Sequence, residues 1–97
     1  MKRVFEYPLT LEAEQNITMP LSAELLGLQV RGEIAVLWAI VDHQNRDTQR
    51  RVYLVATATP GRGDPPLDKA RYIGTFQLAG GDIVYHVFDA GEFVPGT

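Results

Sequence analysis

Arg46, Arg50, Arg51, Arg62, Lys69 and Arg71 all fall between Asn45 and Tyr72, although the chain as a whole carries a formal charge of −3. Guanidinium groups present forked donors that match phosphate and carboxylate oxygens. If the polar stretch after Val41 and the Gly/Pro-rich stretch Pro60 to Lys69 meet at one end of the fold, they frame an anion-binding recess. Arg50, Arg51 and Arg71 would supply its positive charge, and Tyr72 and His86 would line an adjacent surface. A neighbouring aromatic ring can stack on a base, so a nucleotide-like ligand would use both features. The competing reading is a solvated face on which these cations pair with Asp47, Asp64 and Asp68.

Other reactive residues point to less. His43 follows Asp42, but adjacent residues at a strand end face opposite sides, and His43 reads as a solvated loop residue. His86 lies within an extended segment, on one face with Val84 and Phe88, where an imidazole needs a partner or a cleft. Neither histidine has a second histidine or a carboxylate at metal-motif spacing, so no metal site is expected, nor any cofactor. The chain's only serine, Ser22, follows Pro20-Leu21 rather than a strained Gly-x-Ser-x-Gly turn. Gly61-Arg62-Gly63-Asp64 contains the Arg-Gly-Asp triplet read by adhesion receptors, a motif frequent by chance and expected to be silent here. No Gly-Lys-Ser/Thr follows these glycines, so they do not resemble a phosphate loop. With no cysteine, disulfides and thiol chemistry are excluded.

These residues must be positioned by strands. Ile34 to Val41 is an unbroken apolar run, too short to span a membrane as a helix and rich in β-branched and aromatic residues. It reads as the central strand, covered on both faces, with Trp38 mostly buried. Before it, Glu24 to Arg31 alternates with Leu26, Leu28 and Val30 on one face. The short Arg31-Gly32-Glu33 connection predicts an antiparallel hairpin, glycine supplying the positive φ of a primed turn. Arg3 to Leu9, with Pro8 near its end, suits an edge strand. Gln15 to Met19 is a second short extended piece. After the polar stretch Asp42 to Gln49 come strands at Arg50 to Thr59, Arg71 to Leu78 and Asp82 to Asp89, the last two joined at Gly80-Gly81. The Pro60 to Lys69 stretch is expected to be an exposed, mobile loop, and the tail after Gly91 to fray.

Ninety-seven residues suffice for one domain spanning 1–97. The expected fold is all-β, a small antiparallel sandwich or barrel of about six to seven strands. An acidic chain lacks the overall attraction that drives non-specific nucleic-acid binding, and no run reaches membrane length. A cytoplasmic protein with neither nucleic acid nor membrane as partner is expected. Small domains must cover, charge or pair their edge strands, so a homo-oligomer is expected too.

Tyr7-Pro8-Leu9, Met19-Pro20, Leu37-Trp38-Ala39-Ile40-Val41-Asp42, Tyr72-Ile73-Gly74-Thr75 and Tyr85-His86-Val87-Phe88-Asp89 resemble, in order and spacing, a family of small proteins of unknown function encoded by bacteriophages and prophages. The likeness covers nearly the whole chain. Many of those proteins carry Gly-Thr-Gly-His where this chain continues past Ala56-Thr57-Ala58-Thr59, so that histidine is missing here. The resemblance implies a phage accessory protein in the host bacterial cell. Its expected role is a non-enzymatic binder that inhibits a host process, such as a defence system, by taking up a nucleotide-like or other anionic small molecule or by binding a host protein. The alternative is a homo-oligomeric structural or interaction module without a small ligand. A hydrolase would need a paired base and nucleophile, which the sequence does not supply.

Overall fold

The computed structural model describes residues 1–57 and 65–93. The described residues form seven strands, β1 (Lys2–Pro8), β2 (Glu14–Pro20), β3 (Glu24–Arg31), β4 (Ile34–Asp42), β5 (Asp47–Ala56), β6 (Arg71–Leu78) and β7 (Ile83–Phe93), with a 3-10 turn at Ala79–Gly81. They build two antiparallel sheets, one in the order β1-β4-β3 and the other β2-β5-β7-β6. The shortest dimension of 18 Å holds two layers spaced by about 10 Å. The fold is therefore all-β and sandwich-like, as the strand pattern predicts. Among the described residues no helix is long and apolar enough to cross a membrane.

Period-two alternation decides what is buried. On β4, Ala35, Leu37, Ala39 and Val41 face the other sheet and are sealed, meeting Val52 and Leu54 of β5, Phe76 and Leu78 of β6 and Val87 of β7 in one core. β4 is central to its sheet, but the second sheet covers only one of its faces; on the outer face Val36 is buried all the same. Ile34 is exposed on the outer side, and Trp38 is only partly buried, beneath the Arg31 guanidinium at 5.9 Å. The run is apolar on both faces although only one meets the second layer, so Trp38 reaches its intermediate burial on the outer face and not in the core between the sheets.

The β3–β4 hairpin forms as expected, with Gly32 at φ 59° and Glu33 at φ 69°, the two positive values of a type I′ turn. A bulge between Leu25 and Gly27 corrects the alternation expected for β3. It puts Leu25 and Leu28 on the core side, opposite Ala39 and Leu37, and turns Leu26 out to solvent. The β6–β7 hairpin also forms. β3 and β6 adjoin at one side of the sandwich, where a Cβ on Gly74 would lie 3.1 Å from Leu28 Cδ1, so only glycine admits this approach without displacement.

Two boundaries differ from expectation. The polar turn shrinks to His43–Arg46, because Thr48 and Gln49 pair with Met19 and Thr18 of β2, and Gln49 Nε2 donates to Thr18 Oγ1 at 2.7 Å. β7 continues through Gly91 to Phe93, held by pairing with β5, so this part of the tail does not fray. The expected end of β5 near Thr59, the Arg-Gly-Asp triplet with Arg62, and most of the Gly/Pro-rich loop lie outside the described residues.

Candidate functional site

The five residues expected to line one recess divide between the two faces of the four-stranded sheet. Arg50 pairs with Ile17 and Glu92 on the inward face, and its neighbour Arg51 pairs with Asn16 and Gly91 on the outward face. Arg71, opposite Asp89, belongs with Arg50. Tyr72 and His86 belong with Arg51, through pairings with Phe88 and with Val55 and Thr75.

The inward group centres on a buried ion pair, Arg50–Asp89, with the exposed Arg71 at its edge. Arg50 Nε donates to Asp89 Oδ1 at 2.9 Å and Nη2 to Oδ2 at 2.7 Å, while Nη1 donates to the Ala23 carbonyl at 2.8 Å. Asp89, 6% exposed, also accepts from the Gly91 N–H at 2.8 Å and has Arg71 Nη2 at 3.7 Å. Burial pushes the Asp89 pKa up, but the Arg50 and Gly91 hydrogen bonds and the two guanidinium charges outweigh it and hold the carboxyl below its usual value. The Asp89 hydrogen bond, opposed by burial, raises the Arg50 pKa in turn. Arg71 Nη2 further reaches the Leu25 carbonyl at 3.4 Å, so the cluster ties β5, β6 and β7 to the start of β3. Arg50 is thus engaged between the two sheets, whereas the Arg71 side chain, 63% exposed, touches the cluster only at its rim.

The outward face is different in kind. Tyr53, Phe88 and Tyr72 lie side by side across β5, β7 and β6, an aromatic row in which Tyr72 meets Phe88 edge-on at 5.6 Å. In the next row His86 lies between two hydroxyls, with Thr57 Oγ1 2.9 Å from Nε2 and Thr75 Oγ1 3.1 Å from Nδ1. The Tyr72 hydroxyl closes the chain by hydrogen bonding to Thr75. Arg51 stacks over Phe93 at 4.3 Å, with Asn16 Oδ1 at 3.3 Å and Glu14 Oε1 at 3.7 Å from its Nε. A cavity of about 300 Å³ opens beside the aromatic row, lined by Tyr53, Pro66, Asp68, Lys69, Ala70 and Ala90. Tyr53 is buried there although it points away from the core.

Thr57 beside His86 has the outline of a nucleophile–base pair, but the other ring nitrogen meets a threonine hydroxyl rather than the carboxylate that would stabilise an imidazolium. Among the described residues no group of three or more His, Cys, Asp or Glu side chains is placed to hold a metal. Sequence reasoning missed Asp89, whose signal is a lone carboxylate on the same strand face as Val87. It also missed Tyr53, buried outside the core beside a cavity that it shares with the segment 66–70, and the hydroxyl partners of His86.

No curated protein and no solved structure matches this chain significantly. Residues 1–95 match the Domain of unknown function (DUF7352), and the chain belongs to that family.

Proposed function

We propose that this chain is a non-enzymatic binding protein whose outward sheet face takes a small planar ligand with an anionic group, of nucleotide-like chemistry. The observation that carries this reading is the aromatic row Tyr53–Phe88–Tyr72 beside a cavity of about 300 Å³ with Lys69 in its wall. That volume is at the lower end for small-ligand sites. Rings offer stacking surface, the His86–threonine chain offers donors and acceptors to a heterocycle edge, and Lys69 offers a charge to a phosphate or carboxylate. In the context implied by the sequence resemblance, the protein is a phage accessory factor that sequesters such a ligand and so inhibits a host process, a defence pathway being the natural one.

Calorimetry against a panel of linear and cyclic nucleotides tests it. Binding should weaken with salt, and Tyr72→Ala should cost about 1–3 kcal/mol, the usual worth of one base–aromatic stack. Lys69→Ala should remove most of the salt dependence. A panel with no binder, or binding indifferent to both substitutions, sinks this reading. The second reading, an interaction module without a small ligand, draws on a separate observation, the exposed apolar residues of β1.

A further inference from the structure

We infer that two copies of the chain pair antiparallel through β1, with Val4 on the two-fold axis. β1 is the outer strand of the three-stranded sheet, and from Lys2 to Glu6 every residue is exposed. Val4 is 57% and Phe5 41% exposed, on opposite faces of the strand. An edge strand carrying apolar side chains on both faces is a template for strand addition unless something covers it. Among the described residues nothing pairs with its outer side.

The register of the pairing follows from the backbone. The Leu9 N–H donates to the Ala35 carbonyl at 2.9 Å, which continues the β1–β4 ladder one step past Pro8–Val36. Odd-numbered residues of β1 therefore direct their main-chain groups toward β4, and Lys2, Val4 and Glu6 direct theirs outward. Pro8 has the same outward parity, so the N–H it lacks would not have been used within the fold. A two-fold axis perpendicular to the sheet pairs outward residues with outward residues whenever it passes through a residue of β1, and three such registers place it inside the exposed segment, on Arg3, Val4 or Phe5. With Val4 on the axis, Val4 meets Val4 and Lys2 meets Glu6 twice over, and each pair exchanges both main-chain hydrogen bonds. With Arg3 on the axis, Lys2 would meet Val4 and the outward groups of Glu6 would stay unpaired. With Phe5 on the axis, Pro8 would meet Lys2 without an N–H to give.

Side chains select the same register. On the outer face Lys2 of each copy stands between Asp42 of its own β4 and Glu6 of the other copy, since Lys2 pairs with Asp42 inside the fold. Glu6 Oε2 accepts from Arg31 Nη1 at 2.8 Å, and no hydrogen bond among the described residues engages its Oε1. On the inner face Arg3 of one copy comes opposite Phe5 of the other, a cation beside an exposed ring. Opposite charges directly across an antiparallel pair attract and like charges repel, so the sequence Lys2-Arg3-Val4-Phe5-Glu6 is complementary to itself in this arrangement. The result is a continuous sheet in the order β3-β4-β1-β1-β4-β3, closed by its own symmetry so that it does not grow into a fibre.

Sedimentation velocity over micromolar concentrations decides the matter. The wild-type chain should sediment as a dimer. Val4→Pro, which removes an N–H the fold does not use, should give a folded monomer by circular dichroism. Lys2→Glu and Glu6→Lys should each weaken the dimer, and the double swap Lys2→Glu/Glu6→Lys should restore it. The swap discriminates even where Val4→Pro fails to fold, because both single variants and the double change only exposed side chains. A wild-type monomer, with β1 left for a strand from another protein, overturns the proposal. So does a trimer or larger ring, a dimer that survives Val4→Pro, or a double swap no better than its singles.

Discussion

Asp89→Ala should destabilise the domain by about 3–5 kcal/mol in urea unfolding followed by Trp38 fluorescence, because it leaves the Arg50 guanidinium buried without its bidentate partner. That is a large share of the total of about 5–15 kcal/mol typical of a native domain. The Ala23 carbonyl and Glu92, whose Oε2 is 4.0 Å from Arg50 Nη1, remain, so the charge is not wholly stranded. Arg50→Met/Asp89→Leu should therefore be far less damaging than Asp89→Ala alone, since replacing a buried pair by apolar groups removes both desolvation costs together. Equal losses in the single and the double variant would show that the cluster contributes through packing alone.

The same carboxylate makes stability depend on acid. Its folded-state pKa lies below the usual value, so the unfolded chain binds the proton more readily. The contribution of Asp89 is complete above the unfolded-state pKa of about 3.9 and is lost as the pH falls from there through the folded value. Asp89→Ala should flatten the acid limb of the stability profile below about pH 4, without altering the profile between neutral pH and the onset of that limb.

What could be read in advance follows from the range of the forces involved. Strands, hairpins and the type I′ turn at Gly32-Glu33 depend on residues a few positions apart, so alternation and turn chemistry reveal them. The split of seven strands between two sheets depends on distant pairings, and nothing near Asp42 announces that β5 leaves the sheet of β4. Arg50 and Arg51 show how much rests on parity. They are adjacent and chemically identical, yet one is buried against Asp89 and the other stacks on Phe93. Grouping them by charge along the sequence merges two faces that a strand necessarily separates. His86 with Val84 and Phe88 on one face was legible, because that inference uses the period alone. Its contacts with Thr57 and Thr75 were not, since they cross between strands.

Leu37→Ala tests which face of β4 faces the core. Leu37 is wholly buried among side chains of both sheets, whereas Trp38, next in sequence, lies on the outer face with Arg31 above it and Glu6 and Gly27 as strand neighbours. Truncating a buried leucine loses its transfer free energy and leaves a cavity that a two-layer core cannot fully close, so the expected cost is about 2–5 kcal/mol. Trp38→Ala removes more atoms, but many of them already meet water or the flexible Arg31 stem, and solvent can fill the space they vacate. Its loss should be clearly smaller than that of Leu37→Ala. Arg31→Ala should weaken the Trp38 contact by about 0.5–1 kcal/mol, the range for an exposed cation over a ring. Denaturant midpoints for the three variants give the order directly. A Trp38→Ala protein less stable than Leu37→Ala would mean that the outer face of the three-stranded sheet is itself covered in solution, and the self-paired β1 edge would then be the first place to look for what covers it.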